Sequence, residues 1–254
     1  MLARWGSLRY LAAVIWAVAG LSVRKSSWPR TVRNVLARQV LFTGVEALRF
    51  VAMIACLVGV SVVVQAQVWL GQFGQTEMLG PILVAVIIRE AGPLLVNFVI
   101  IGRSGTAIAT ELANMRVNEE IRVLEAQGIE PLTYLVMPRV VGAVVSVFSL
   151  TLVFIVVSFG SGYLCGLLIG VSPTDPLVFA DSVLKATGLG DFANVVAKTF
   201  FPGMLTGAIC CVEGLSIRGS VTEVPQAGAR AVMNSIGALF LVSAIVSVLT
   251  YVRS

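Results

Sequence analysis

The 254-residue chain is 57% hydrophobic and only 12% charged, whereas soluble domains carry about 25% charged residues. With a mean hydropathy of +0.95, this composition excludes a soluble globule and predicts a polytopic membrane protein of one domain. The net charge of +5 is explained by the positive-inside rule of membrane proteins rather than by nucleic-acid binding. The chain has no His and no C-x-x-C spacing, so we predict neither a metal site nor a catalytic residue.

Residues 1–40 are predicted to form a cytoplasmic segment with an interfacial amphipathic helix. Their apolar core is about eleven residues long, which is too short to span a bilayer. The Arg side chains should face water, and three Trp should lie at headgroup level: Trp5, Trp16 and Trp28. The alternative is a signal peptide cleaved near Ala17-Val18-Ala19. Cleavage there would leave a strongly basic stretch outside the membrane, against the positive-inside rule.

The remainder, residues 41–254, is predicted to be a transmembrane core with five apolar stretches of about 20 residues or more. They cover residues 50–70, 78–101, 140–169, 192–212 and 231–252. The third would be roughly 45 Å long as a helix, so it must tilt or protrude. The predicted fold class is an all-α polytopic membrane protein with five transmembrane helices, an N-terminal interfacial helix and a short cytoplasmic coupling helix.

The second stretch carries Arg89 and Glu90 side by side, followed at once by Gly92-Pro93. Adjacent helical residues diverge by about 100°, so this pair does not join along one face. Intramembrane charges normally face a bundle interior or a wet cavity and find partners there, and Lys198 of the fourth stretch is a candidate. Two interpretations stay open. The charges form a structural ion network, or Arg89, Glu90 and Lys198 line a substrate cavity beside a helix that Gly92-Pro93 distorts.

The loop after the second stretch predicts a short helix over residues 119–127. Asn118 is a suitable N-cap and Gly128 a suitable stop, while Val117, Ile121 and Leu124 recur on one face. A helix of about nine residues is not stable alone in water, so it must dock on something. It either lies on its own bundle or inserts into a cytoplasmic partner. The predicted coupling residues are Arg116, Glu119, Glu120, Ile121, Leu124 and Glu125.

Small residues repeat every four positions in the third and fourth stretches and predict close helix packing. They are Ser158, Gly162, Gly166 and Gly170 in the third stretch and Gly203 and Gly207 in the fourth. Packing within one chain and a seam between two copies are both compatible with this pattern.

The basic residues sort to one side of the predicted membrane. Eight precede or open the first stretch, four lie in residues 102–139 and two in residues 213–230, whereas only Lys185 and Arg253 lie on the other side. Because cytoplasmic loops are enriched in Lys and Arg, we predict a cytoplasmic N-terminus and a periplasmic C-terminus.

Five short stretches carry a specific resemblance. They are "REAGPLL" at 89–95, "GRSGTAIATEL" at 102–112, "MRVNEEI" at 115–121, "GIEP" at 128–131 and "PR" at 138–139. In order and spacing they resemble the MlaE-like permease family, and the resemblance runs from about residue 35 to the C-terminus. One departure is Glu120, where the family usually has Gln, which adds a negative charge to the predicted docking surface.

Members of that family are the membrane subunits of ABC transporters that work on lipids with MCE-domain proteins. The resemblance therefore implies a permease in a bacterial inner membrane, moving phospholipids or similar lipids between that membrane and the periplasm or outer membrane and serving outer-membrane lipid asymmetry. Because five spans make a thin wall for a lipid-sized cavity, we expect two copies to form a homodimer with two-fold symmetry. The chain has no G-x-x-x-x-G-K-[ST] motif, so ATP and Mg²⁺ should bind to a separate ABC ATPase subunit and no cofactor to this chain. Arg103 and Glu111 are expected to position the second span against the coupling helix, with simple surface ion pairing as the alternative.

Two other functions are compatible with a five-span chain. A non-transporting adapter could anchor an ATPase or an MCE protein, but such an anchor does not need Arg89, Glu90 and Lys198. A secondary transporter acting alone would predict inverted repeats, which five unequal spans do not show.

Overall fold

The structure is a computed structural model that describes residues 2–24, 27–74, 78–170, 175–217 and 219–253. Five helices within these residues are long and apolar enough to cross a membrane. We call them spans 1 to 5, and they cover Arg30–Gln72, Leu79–Val117, Leu132–Ile169, Leu189–Leu215 and Val221–Thr250. Each overlaps one of the five predicted stretches, so the predicted all-α membrane fold with five transmembrane helices is confirmed.

Several spans are built from more than one helical segment. Span 1 joins α2 (Arg30–Val40) through a π-helical turn, Leu41–Val45, to α3 (Leu48–Gln72). Span 2 contains α4 (Leu79–Leu83), a π segment (Val84–Ala91), α5 (Gly92–Ile100), a second π segment (Ile101–Gly105) and α6 (Thr106–Val117). Span 3 is a π turn, Leu132–Val136, followed by α8 (Met137–Ile169).

The other elements are single helices. The N-terminal helix α1 covers Leu2–Val23, and the short helix α7 covers Glu120–Ala126 between spans 2 and 3. Helix α9 (Pro176–Ala186) precedes α10 (Leu189–Leu215), which is span 4. A 3₁₀ turn, Val221–Glu223, leads into α11 (Val224–Arg253), which forms span 5. We call the membrane side that holds α7 the N-side and the side that holds α9 the C-side.

Span 2 is longer than its apolar stretch, residues 78–101, predicts. The helix continues to Val117 because Ile108, Ala109 and Leu112 are buried against the rest of the bundle. Much of the predicted loop 102–139 is therefore helical, and only residues 118–131 lie between the spans. Hydropathy could not indicate this extension, since Arg103, Glu111 and Arg116 interrupt the apolar run.

The N-terminal segment differs from its prediction. The predicted amphipathic character belongs to α2, where Val32 is buried while Arg33 and Arg38 are exposed. In contrast, α1 is apolar on all faces from Leu11 to Ser22 and packs Val14 and Val18 into the core of the bundle. The indole of Trp28 donates a 2.9 Å hydrogen bond to the Ser22 carbonyl, and Trp16 is exposed. The Trp5 side chain, Lys25 and Arg218 lie outside the part of the chain that the structure describes.

Four of the predicted packing glycines lie where two helices touch. A Cβ atom on Gly162 would lie 2.5 Å from the Gly59 carbonyl oxygen of span 1, and one on Gly166 would collide with the Gln67 amide. A Cβ atom on Gly207 would lie 2.9 Å from the Cα of Val140, and a Cβ atom on Gly203 would lie 3.2 Å from the Cα of Val144. These glycines pack spans 1, 3 and 4 of one chain together.

Gly170 is an exception to the predicted packing set. It adopts a φ of 75° at the C-cap of α8 and has open space around its Cα. Gly170 ends the helix in the left-handed conformation that glycine adopts without strain, and it does not pack two described helices of this chain together.

Candidate functional site

Four charged side chains form two ion pairs between span 2 and span 4. The Arg89 Nε donates to the Asp191 carboxylate, and the Lys198 Nζ lies 2.6 Å from Glu90 Oε1. Lys198 is almost completely buried, with 2% of its side chain exposed, so its charge depends on this pairing. Two cations face two anions, and the site as a whole is formally neutral.

Asp191 is the member of this set that the sequence did not indicate. Because the predicted fourth span begins at residue 192, the sequence assigns Asp191 to an outer loop together with Lys185. In the structure it lies in the first turn of α10, where its Oδ2 accepts a 2.9 Å hydrogen bond from the Gly188 backbone N–H. Its spacing could have revealed it, since Asp191 precedes Lys198 by about two helical turns and shares its face.

Gly92-Pro93 does not break span 2. The segment before it widens to a π-helix, in which the Gly92 N–H reaches the Ile87 carbonyl. Pro93 has no N–H to offer the carbonyl of Arg89, one α-helical turn earlier. Lys198 supplies the missing donor, with its Nζ 2.9 Å from the Arg89 carbonyl oxygen. The distortion predicted at this site is therefore a π segment, and the buried lysine satisfies the carbonyl that proline leaves free.

Span 4 has the reciprocal arrangement. Pro202 lies inside α10 and cannot donate to the Lys198 carbonyl, four residues earlier. The side chain of Asn97 in span 2 donates to that carbonyl at 3.2 Å and to the Pro93 carbonyl at 2.8 Å. Each helix thus satisfies a carbonyl that a proline frees in the other, and we call this arrangement the proline clasp (Arg89, Pro93, Asn97, Lys198 and Pro202).

A third span joins the same set of residues. Ser247 of α11 donates a 2.8 Å hydrogen bond to Glu90 Oε1, the oxygen that also accepts from Lys198. The Glu90 side chain is about half exposed (47%). Spans 2, 4 and 5 therefore meet at one carboxylate.

A cavity of about 800 Å³ lies next to these pairs, between α10 and α11 at the C-side of the bundle. Its polar lining comes from Arg89, Asp191, Asn194 and Thr250. Its apolar lining comes from Ala193, Ala197, Phe201, Val246, Leu249 and Val252. Of the three residues predicted to share a cavity, only Arg89 lines this one, whereas Glu90 and Lys198 form the ion pair beside it.

Asn194 is a second polar residue of this cavity that the sequence did not indicate. It is 4% exposed, and its Oδ1 has no hydrogen-bond partner among the described residues. A buried acceptor without a partner is uncommon, because its desolvation is not offset.

On the N-side, α7 has a different start from the one predicted. Asn118 ends α6 instead of capping α7, and Glu119 takes the N-cap position in a left-handed conformation (φ 58°). The predicted stop at Gly128 is confirmed. Its φ is 76°, its N–H bonds to the Glu125 carbonyl, and the following Ile129 N–H bonds to the Leu124 carbonyl, which is a Schellman motif.

The apolar face of α7 packs on its own bundle. Ile121 is 3% exposed, and Leu124 packs against the same cluster of core residues. Ile121 is therefore not free to insert into a partner and Leu124 is only partly exposed, so the apolar face of α7 lies on its own bundle, which corrects the assignment of Ile121 as a coupling residue. The exposed face of α7 carries Glu120, Arg122, Val123 and Glu125, and its N-cap Glu119 and Arg116 at the end of α6 are exposed beside it.

Arg103 and Glu111 do not contact α7. Arg103 donates to the Phe42 carbonyl at 2.9 Å and to Glu46 at 2.7 Å, both in span 1. Glu111 accepts a 2.8 Å hydrogen bond from the buried Arg139 of span 3. The expectation that they position span 2 against the short helix is wrong, because they fasten span 2 to its neighbouring spans instead.

Comparison with known proteins places the chain in a family. The model of the permease MlaE family matches residues 36–249. A probable ABC transporter permease protein of Rickettsia typhi is 29% identical over 208 residues, which cover 82% of this chain and 79% of the relative. A probable ABC transporter permease protein of Synechocystis is 30% identical over 210 residues, which cover 82% and 78%.

A plant protein is also similar. The chloroplastic protein trigalactosyldiacylglycerol 1 of Arabidopsis thaliana is 28% identical over 216 residues, covering 85% of this chain and 61% of the relative. A permease is a membrane protein, in agreement with the five apolar helices that are long enough to cross a membrane. The chain belongs to the MlaE permease family of membrane permease subunits.

Proposed function

We propose that the chain is the transmembrane subunit of an ATP-driven ABC transporter that moves phospholipids or similar lipids between a bacterial inner membrane and the periplasm or outer membrane. An ABC ATPase would bind ATP and Mg²⁺, and an MCE-domain protein would exchange lipid with the permease. The name of the plant relative contains that of a galactosylated diacylglycerol, which supports a lipid as the substrate.

The observation that carries this proposal is the division of the cavity between α10 and α11. Arg89, Asp191 and Asn194 give it a charged and polar part, while Ala197, Phe201 and their neighbours give it an apolar wall. A lipid has the same division between headgroup and acyl chains. Intramembrane charges that do not face lipid normally mark a substrate path, and a volume of about 800 Å³ is within the range of ligand sites.

A homodimer completes the proposed cavity. Span 5 is the least buried of the five spans within the chain, and its α11 forms one wall of the cavity. Phe240, Leu241, Ala244 and Val248 of α11 are exposed. A second copy related by two-fold symmetry would cover this face and enclose the cavity from the side that one chain leaves open.

The exposed face of α7 is the proposed contact with the ATPase. Glu119, Glu120, Arg122 and Glu125 are exposed, and the apolar face already packs the helix on the core of the bundle. Because the helix is fixed to the bundle, a conformational change in a bound partner would move the spans on either side of it. The charge distribution favours a cytoplasmic position for α7, where ATP is available.

Reconstitution with the cognate ATPase tests the proposal. Lipid transfer from vesicles should require ATP and should fall at least tenfold in Ala197→Trp, which fills the apolar wall of the cavity. Val156→Trp, on the exposed surface of α8, serves as the control and should transfer normally. If the chain were a non-transporting adapter, Ala197→Trp would leave both ATPase binding and lipid transfer unchanged, and the proposal would fail.

A further inference from the structure

We infer that the cavity selects a zwitterionic phospholipid whose headgroup carries a primary ammonium, as phosphoethanolamine does. This inference rests on the proposed function, because it names the class of lipid that the same cavity would accept. Its basis is the hydrogen-bonding capacity that the polar part of the cavity leaves unused.

The phosphate would bind to Arg89. Only the Nε of Arg89 is engaged, by Asp191, and about a third of the side chain is exposed (36%). The two Nη groups have no hydrogen-bond partner among the described residues. They form a planar pair of donors that can bind two phosphate oxygens at once. The bond from Arg89 Nε to Asp191 fixes the orientation of the guanidinium group.

The ammonium would bind beside Asp191 and Asn194. The Oδ1 of Asn194 is buried without a partner among the described residues and therefore needs a donor. Asp191 provides a negative charge one turn away, with its carboxylate held by the Gly188 N–H. A primary ammonium has three N–H donors and can serve both groups, whereas a quaternary choline has none.

The charge of the cavity favours a headgroup without net charge. Arg89 and Asp191 are the charged residues that line it, and they neutralise each other. A phosphoglycerol headgroup would bring an uncompensated negative charge to Asp191, which costs free energy at low dielectric. A phosphoethanolamine headgroup brings one charge of each sign and meets one of each.

Native mass spectrometry of the delipidated dimer, exposed to equal amounts of phosphatidylethanolamine, phosphatidylcholine and phosphatidylglycerol of identical acyl chains, tests the inference. Phosphatidylethanolamine should be retained roughly tenfold over phosphatidylcholine, the factor expected for hydrogen bonds to a charged group. In Asn194→Leu this ratio should fall towards one while total bound lipid remains. In Arg89→Lys, which keeps the charge but lacks the fork, binding of all three lipids should fall.

Thr199→Val is the matched control. Thr199 is buried on the same helix, bonds only to the backbone of its own helix and does not line the cavity, so its loss should leave the lipid ratio unchanged. Asn194→Asp covers the case in which Asn194→Leu does not fold, and it should raise the preference for phosphatidylethanolamine over phosphatidylglycerol. Equal retention of the three lipids, or a preference for phosphatidylglycerol, would overturn the inference and leave lipid transport intact. A dimer that retains no lipid at all would overturn the proposed function itself.

Discussion

At the scale of single residues, the ion pairs show how a Lys and an Arg can lie within membrane-spanning helices. Lys198 donates both to Glu90 and to the Arg89 carbonyl, so its ammonium is surrounded by acceptors in place of water. Removing one partner of a buried pair costs more than removing both, because the remaining charge has no compensation. The sequence indicated Arg89, Glu90 and Lys198 as a set, but their partners depend on how spans 2 and 4 pack.

Lys198→Met should therefore destabilise the protein by about 3 kcal/mol. It leaves Glu90 without its cation and the Arg89 carbonyl without its donor. The double variant Lys198→Met with Glu90→Leu should recover much of this loss, and thermal melting in detergent measures both. Lys185→Met is the control, because its pair with Asp181 is exposed and contributes about 0.5 kcal/mol. Equal melting temperatures for Lys198→Met and the wild type would contradict the pairing.

At the scale of helices, the proline clasp shows how local sequence and tertiary contact combine. Pro93 and Pro202 each free a backbone carbonyl inside the membrane, where water cannot satisfy it. Lys198 and Asn97 satisfy these carbonyls across the helix boundary. The prolines could be recognised in the sequence as sites of distortion. Asn97 donates to the carbonyl that Pro202 leaves free, although the two residues are far apart in the sequence. This contact depends on the register between spans 2 and 4, which no local sequence pattern contains.

Asn97→Leu should cost about 1–3 kcal/mol, because it leaves the Lys198 and Pro93 carbonyls without their side-chain donor. The cost should be smaller in a Pro202→Ala background, since alanine restores a backbone N–H that can donate to the Lys198 carbonyl. Melting temperatures of the two single variants and the double variant give the coupling between the residues. An identical effect of Asn97→Leu in both backgrounds would mean that the clasp does not exist.

Helix α7 gives a second test at this scale, because its two faces have different roles. Ile121→Asp places a carboxylate in the core of the bundle and should destabilise the permease itself by several kcal/mol. Val123→Asp, on the exposed face (54%), should leave the free energy of unfolding within about 0.5 kcal/mol of wild type and should weaken ATPase co-purification. Loss of ATPase from a normally folded Ile121→Asp variant would show instead that the buried face is the docking face.

At the scale of the whole molecule, the five spans follow directly from the sequence, since an apolar run long enough to cross a membrane needs no tertiary information. The limits of the spans do not. Span 2 can continue through Arg103 and Glu111 because Arg103 bonds to span 1 and Glu111 to span 3. Span 4 can begin before residue 192 because Asp191 forms an ion pair with Arg89. Hydropathy treats such charges as ends of spans, whereas paired charges can lie inside them. For the same reason the cavity, which requires α10 and α11 side by side, could be predicted only in outline.

The orientation of the molecule in the membrane depends on the charges at its two ends. The N-side carries Arg116 and Arg122, together with the basic residues of α2, whereas the C-side carries Asp175 and Asp181 with Lys185 and, at the end of α11, Arg253. This asymmetry predicts α7 in the cytoplasm and α9 in the periplasm. Single cysteines at Glu120 and Lys185, both exposed, can be introduced after Cys56, Cys165, Cys210 and Cys211 have been replaced by alanine. A membrane-impermeant maleimide should label position 185 in intact spheroplasts and position 120 only after lysis. Labelling of position 120 from outside would invert the orientation, and with it the assignment of α7 to an ATPase that works in the cytoplasm.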